Sequence, residues 1–537
     1  MNLFTIKYSL SGKRKSATES NEDFELKVKD ENNRLTVTLC AKKDISLSQF
    51  TQSIPFFPDK DDLYFLNGYQ SWTDTKEFTF AEREKDVKKL PKFLVNAFSF
   101  DRYGDATFYG YGKHLAHGYD IFYCKGKREI FILNLNYTRA YLLIELNKKK
   151  NLLNLCYDFN GFKVAAGTEF TVADFYAADS VAGGMEYFNT VFPRKNTPKI
   201  FGYTSWYNYY QDINEKIILR DLDALDKQFN LFQIDDGYET KVGDWLSVDE
   251  KKFPHGLKPI VDEVHRRGLN AGIWLAPFVA EAESDLFKTK KQLFKRDSNG
   301  EFVKCGANWS GFYALDLENP EARAYIEKCL RHYADMGFDF FKLDFLYAVN
   351  LVTDEGTSRS MYAEKAYAFL RECLGNKIIL GCGATVFNCI DKFDYLRIGP
   401  DVSLIFDDVW FMHYMHRERI STKVTLQNTV YRSFFNDRLF GNDPDVFLLR
   451  DDNIKLSAKQ RRALLTLNSL FGSVLMTSDN LGQYDENKRK LLSDALDLFY
   501  NAQVTGYSRK GNTIEITYNL NERSETINYD TKRGILF

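Results

Sequence analysis

The chain has no run of about 18 uninterrupted apolar residues, which argues against a membrane-spanning helix. It has no long basic stretch either. The 72 lysines and arginines balance 74 acids, for a formal charge of −2. A near-neutral chain lacks the electrostatic footprint of a nucleic-acid binder, so its ligand is expected to be small or uncharged. The opening string Met1-Asn2-Leu3-Phe4-Thr5-Ile6-Lys7 has no basic segment followed by an apolar one, and no signal peptide is expected. Eight cysteines (Cys40, Cys124, Cys156, Cys305, Cys329, Cys373, Cys382 and Cys389) include no CxxC pair. That pattern suits reduced, mostly buried thiols in a cytoplasmic protein. The histidines do not cluster as zinc ligands do. His413 and His416 lie three apart with no third ligand nearby, so no metal site is expected.

What the chain does have is apolar and aromatic residues in quantity, 44% and 15% of 537, enough for large packed cores in two to four domains. Residues 1–195 alternate with period two, as in Arg34-Leu35-Thr36-Val37-Thr38-Leu39, and predict a β-sandwich. A polar linker with two prolines, Phe192 to Lys199, follows. Over residues 200–500 short apolar runs alternate with amphipathic segments. Strands are expected at 201–206, 231–235, 270–275, 339–344, 377–382, 395–398, 438–442 and 473–477. Helices are expected at 259–267, 320–336, 358–374, 458–470 and 486–500. This alternation predicts an α/β fold, a parallel (β/α)8 TIM barrel. An open doubly wound sheet fits less well, because no Gly-rich phosphate turn follows the first strand. Residues 501–537 alternate again and predict a small C-terminal β domain.

Catalytic groups of such barrels sit at the C-terminal ends of the strands. The string Phe341-Lys342-Leu343-Asp344 puts Lys342 and Asp344 on one face, and charges inside a barrel are costly unless they pair or meet a polar ligand. A buried ion pair would account for them. So would a carboxylate held ionised to attack an electrophilic carbon. Arg397-Ile398-Gly399-Pro400-Asp401 sets a second acid just past a strand, where turn chemistry alone would suffice. Two carboxylates from different strand ends are what glycoside hydrolysis requires. Asp235-Asp236-Gly237 adds a double acid that needs donors, and sugar hydroxyls are donors. Trp206, Tyr207, Trp245, Trp274 and Phe278 fall on or near strand ends, where rings can stack on a pyranose.

These strings resemble glycoside hydrolase family 36, the melibiase-type α-galactosidases, and in length its shorter bacterial and archaeal members. The resemblance runs in order through Trp206-Tyr207-Asn208-Tyr209-Tyr210, Ile234-Asp235-Asp236-Gly237-Tyr238, Gly243-Asp244-Trp245 and Lys252-Phe253-Pro254-His255-Gly256. It continues through Ala271-Gly272-Ile273-Trp274, Lys342-Leu343-Asp344-Phe345, Gly381-Cys382-Gly383 and Arg397-Ile398-Gly399-Pro400-Asp401. It implies a retaining, exo-acting α-galactosidase with Asp344 as nucleophile, Asp401 as general acid/base and no cofactor. Asp235 and Asp236 would bind the galactose 4- and 6-hydroxyls. Lys342 and Arg397 would hold hydroxyls and the ionised nucleophile, and Trp206, Tyr207, Trp274 and Cys382 would complete the pocket. The string Asn67-Gly68-Tyr69-Gln70-Ser71-Trp72 is similar to the family's loop from the β-domain, which would carry Trp72 into the barrel mouth. The expected partner is an α-galactoside oligosaccharide, with neither nucleic acid nor membrane. Two segments depart from the family pattern, Ala384-Thr385-Val386 and Ser403-Leu404-Ile405-Phe406. They leave α-N-acetylgalactosaminidase and α-galactosyl transfer open as alternatives, beside a non-catalytic carbohydrate-binding protein.

Overall fold

The computed structural model describes residues 4–87, 90–354, 356–407 and 416–537. Its N-terminal part stacks two antiparallel sheets. The first orders Lys13–Ala17, Phe4–Leu10, Ile45–Pro55, Leu152–Val164, Leu142–Asn147 and Leu115–Tyr119. The second orders Phe24–Glu31, Arg34–Ala41, Glu169–Ala178, Ile130–Asn134, Ile121–Lys125, Leu63–Leu66 and Lys76–Thr79. Alternation decides which side chains meet between them: along Arg34–Ala41, Val37, Leu39 and Ala41 point inward and join a core with Phe50, Leu142 and Tyr157. This region also holds two helices that the strand pattern did not anticipate, Lys92–Phe98 and Val181–Val191. Ser180 caps the second by accepting from the Gly183 amide.

The barrel strands are β1 (Ile200–Thr204), β2 (Leu231–Ile234), β3 (Asn270–Leu275), β4 (Phe340–Leu343), β5 (Ile378–Gly381) and β6 (Tyr395–Arg397). They are followed by β7, split into Gly441–Asp443 and Val446–Phe447, and by β8 (Val474–Thr477). All pairings are parallel. One half of β7 pairs with β6 and the other with β8, which returns to β1, so the sheet closes on itself. Nearly every strand residue is buried, because helices cover one face and packed side chains fill the other. Helix Pro320–Met336 illustrates the outer layer. Asn319 caps it, proline opens it, Gly337 at φ +113° ends it, and Ala322, Ile326, Cys329, Leu330 and Tyr333 form its buried stripe.

Several strands end earlier than the sequence pattern suggested. Trp206 belongs to a short helix, Trp206–Tyr209, rather than to β1. Strand β7 begins at Gly441 instead of Arg438, after a turn at Ser433–Phe435. Two barrel helices escaped the pattern altogether. Glu215–Asp223 is short, and Thr422–Tyr431 is buried nearly all round and rich in β-branched residues, so it carries no polar stripe. A four-stranded sheet, Gln503–Lys510, Thr513–Leu520, Arg523–Asp530 and Ile535–Leu536, packs at the C-terminal end. No helix among the described residues is long and apolar enough to cross a membrane.

The N-terminal sheets and the barrel are clasped through residues 67–75. The Ser71 amide donates to Ala384 O at 2.9 Å and the Thr75 amide to Asn428 Oδ1 at 2.8 Å. Beneath them the fully buried Arg432 donates to Asn67 Oδ1, to the Ser71, Gly68 and Gln70 carbonyls and, at 2.8 Å, to Ile398 O. Burial, and after it the like charge of Arg417, pushes this guanidinium down to about 9, with Asp74 opposing. Arg432→Ala would leave these carbonyls unpaired, so we expect a loss of at least about 3 kcal/mol in urea denaturation, given roughly 1–3 kcal/mol per stranded group. A loss below about 1 kcal/mol would mean water replaces the guanidinium and the clasp is not structural.

Candidate active site

A cavity of about 570 Å³ opens at the C-terminal mouth of the barrel. Its wall carries Asp235 and Asp236 from the end of β2, Trp274 from β3, Lys342 and Asp344 from β4, and Asp401 after β6. Trp206 and Tyr207 follow β1, and Trp72 enters from the N-terminal sheets. Of the residues singled out from sequence, these nine share one space, and two more lie just beneath it. Cys382 is fully buried and accepts from Trp72 Nε1 at 3.3 Å, while Arg397 reaches Asp401 from below at 3.0 Å. Trp245 and Phe278 do not reach the cavity. Both are core residues, and Trp245 packs against Trp274 at 5.7 Å between ring centres.

Lys342 forms an ion pair, but not with its neighbour on the strand. Its Nζ meets Asp235 Oδ2 at 2.9 Å, with both groups buried. Strands β2 and β4 alternate around the barrel, and alternate strands supply the same interior layer. Asp235 also accepts from Gln233 at 2.6 Å and Thr204 at 3.2 Å. Asp236 is fixed by Gln211 at 3.0 Å and Trp309 Nε1 at 3.0 Å, and burial pushes its carboxyl up. Gly237, at φ +116°, makes the double acid possible, since a Cβ there would lie 2.7 Å from the Gln211 backbone.

Asp344 is held by hydrogen bonds rather than by a contact ion pair. Trp274 Nε1 donates to one oxygen at 3.0 Å and the Phe345 amide to the other at 2.8 Å. The amide can do so because Phe345 adopts φ +54°, a conformation disfavoured for an aromatic residue. Packing against Trp72, Trp309 and Phe312 holds it there. Burial pushes the Asp344 carboxyl up, the nearby Lys342 opposes that, and neighbouring Asp401 adds to it. Asp401 is the most open of these acids, its side chain 30% exposed. Arg397, expected with Lys342 to hold hydroxyls and the ionised nucleophile, pairs with Asp401, Asp443 and Asp445, because the split β7 delivers two acids to it.

Gln211, Trp309, Asp443 and Asp445 were missed from sequence. The aspartates had a visible signal, the string Asn442-Asp443-Pro444-Asp445 at a strand end. Gln211 and Trp309 lie in loops with no periodic pattern. The cavity is completed by Phe100, Tyr103, His416 and Glu418, with the His416 ring stacked between Phe100 and Tyr103. His413 lies outside the described residues.

Residues 188–378 match the melibiase family. An α-galactosidase of Lactobacillus acidophilus is 36% identical over 92 residues, which cover 16% of this chain and 12% of that relative's length. In fold the chain is similar to an α-galactosidase from Thermus thermophilus, solved with p-nitrophenyl α-D-galactopyranoside. The identity is 24% and the TM-score 0.72, with 97% of this chain and 98% of that one covered. The same Thermus enzyme solved with stachyose matches at 26% identity and TM-score 0.70, covering 88% and 99%.

The buried pair gives a direct test. Lys342→Met strands the Asp235 carboxylate, and we expect about 3–5 kcal/mol of lost stability. Adding Asp235→Asn should restore most of it, because the stranded charge is gone. If the double variant is no more stable than Lys342→Met, as measured by urea unfolding, the pair does not account for the loss.

Proposed function

We propose that the protein is a retaining α-galactosidase that releases terminal α-linked galactose from oligosaccharides. The observation that carries this is the convergence of Asp344 and Asp401, from separate strands, on a cavity that also presents the Asp235–Asp236 pair. The α-galactosides bound by the Thermus enzyme are the substrate class proposed for this chain.

In the first step Asp344 attacks the anomeric carbon while Asp401 gives its proton to the departing oxygen. In the second, Asp401 takes a proton from water, and the water oxygen displaces Asp344 from the same carbon. Two inversions give net retention. The Trp274 and Phe345 N–H groups hold the attacking oxygens in place, and Lys342 keeps the local potential favourable to the anion. Asp401, more exposed than the rest, can meet both leaving group and water. Asp235 and Asp236, already fixed by protein donors, retain acceptor capacity for sugar hydroxyls. An equatorial O4 would point away from them and strand buried acceptors. Trp72, Trp206, Tyr207 and Trp274 enclose the ring, and Cys382 backs Trp72.

Matched aryl α-galactoside, α-N-acetylgalactosaminide and α-glucoside assays test the reading. The galactoside should be preferred over the glucoside by at least about a hundredfold, from roughly 3 kcal/mol of lost transition-state binding. Equal rates on these two would remove the galactosidase assignment, and a faster N-acetylgalactosaminide would redirect it.

Asp344→Ala should abolish turnover on every substrate. Asp401→Ala should harm poor leaving groups most and be rescued by azide, which displaces Asp344 in place of water and yields an α-configured azide. Failure of azide to rescue a folded Asp401→Ala would count against covalent retention.

The acidic limb of kcat/KM reports the nucleophile, which must be ionised to attack. Trp274→Phe removes a donor that favours its carboxylate, so that limb should move to higher pH. A limb that stays in place would mean another group sets it.

A further inference from the structure

Arg397 is wrapped by three carboxylates, and only one of them lines the cavity. Nη1 lies 3.0 Å from Asp401, Nε 2.8 Å from Asp443 and Nη2 2.9 Å from Asp445. A guanidinium acting alone at that distance would hold Asp401 ionised. That is the wrong state for a group that must first hand a proton to a leaving oxygen.

The other two acids are wholly buried, where charge–charge interactions are strong. A barrel strand is broken to place them. Strand β7 stops at Asp443, proline interrupts it, and Asp445 takes φ +74°, a left-handed conformation disfavoured outside glycine. Asp445 Oδ2 accepts from the Val402 amide at 2.7 Å and from the Tyr207 hydroxyl. Its Oδ1 lies 2.9 Å from Nη2, and among the described residues no donor is aligned on it. Burial pushes the Asp445 carboxyl up to about 7; Arg397 opposes the rise, and Asp401 and Asp443 add to it.

We propose that Asp445, with Asp443 beside it, is a positioning residue that sets the proton affinity of Asp401 through Arg397. The proposal rests on the acid/base role given to Asp401 above. Asp344, Tyr207, Tyr210 and Cys382 also act on or feel Asp401. The two tyrosines and the thiol are all pushed up by burial and stay neutral near pH 7. The charges that matter there are Arg397, Asp344, Asp443 and Asp445. As pH rises through the Asp445 transition, a new negative charge appears across the guanidinium from Asp401.

The test compares pH profiles of kcat/KM for an α-galactosyl disaccharide and for a dinitrophenyl α-galactoside. The disaccharide needs its leaving group protonated and the aryl compound does not. Asp445→Asn should move the basic limb for the disaccharide down by about one pH unit, since it removes a like charge near Asp401. The limb for the aryl compound should stay. Asp443→Asn should act in the same direction and serves if the first variant folds poorly. Infrared spectra near pH 6 give a readout independent of turnover, because the buried protonated-carboxyl band should lose intensity in Asp445→Asn. A disaccharide limb unmoved in both variants, or an infrared band untouched in a folded Asp445→Asn, overturns the proposal. Inactivity of the wild type on every α-galactoside would overturn the functional reading instead, and the infrared comparison would still decide whether Asp445 holds a proton.

Discussion

At the barrel mouth Lys342 and Arg397 stand among the carboxylates of Asp235, Asp236, Asp344, Asp401, Asp443 and Asp445. Buried negative charge in excess is the condition to which the surrounding structure responds. Several of them are also supplied with neutral donors. Gln233 and Thr204 serve Asp235, Trp274 and the Phe345 amide serve Asp344, and Tyr207 with the Val402 amide serves Asp445. Three aromatic residues held at positive φ, Tyr210, Trp309 and Phe345, all line this cavity. Strain and charge are therefore concentrated together, and the closed barrel around them is what holds both in place.

The same imbalance accounts for the chemistry. A polyhydroxylated ligand brings O–H donors to a surface short of them, which favours sugar over an anionic substrate. The acids are also not equivalent. Asp344 is enclosed and hydrogen-bonded, in keeping with the nucleophile role proposed for it. Asp401 is more open to solvent, in keeping with the proposed acid/base role.

Much of the barrel was legible because each strand is a short apolar run closed by a polar residue, and that residue marks the C-terminal end. Asp235, Lys342, Asp344, Arg397 and Asp401 all stood out in this way, and the structure brings them to one mouth. Their partners could not be read. Lys342 meets an acid 107 positions away, a pairing set by barrel layering and invisible to local alternation. Helix Thr422–Tyr431 was missed because it is buried on nearly every side, leaving no amphipathic period to detect. Trp309 and Gln211 sit in irregular loops, where only the folded chain shows that their N–H groups meet at Asp236.

The Arg432 clasp has a consequence for how the molecule comes into being. Translation delivers the N-terminal sheets first, and such units generally fold as they emerge. Their 67–72 loop, with its carbonyls and Trp72, must then wait for a guanidinium encoded some 360 residues later. Until that side chain arrives, the loop can satisfy its carbonyls only with water, and the indole has no wall to complete. Assembly of the mouth is thus a late, vectorial event, in which one arginine closes a gap opened near the start of synthesis.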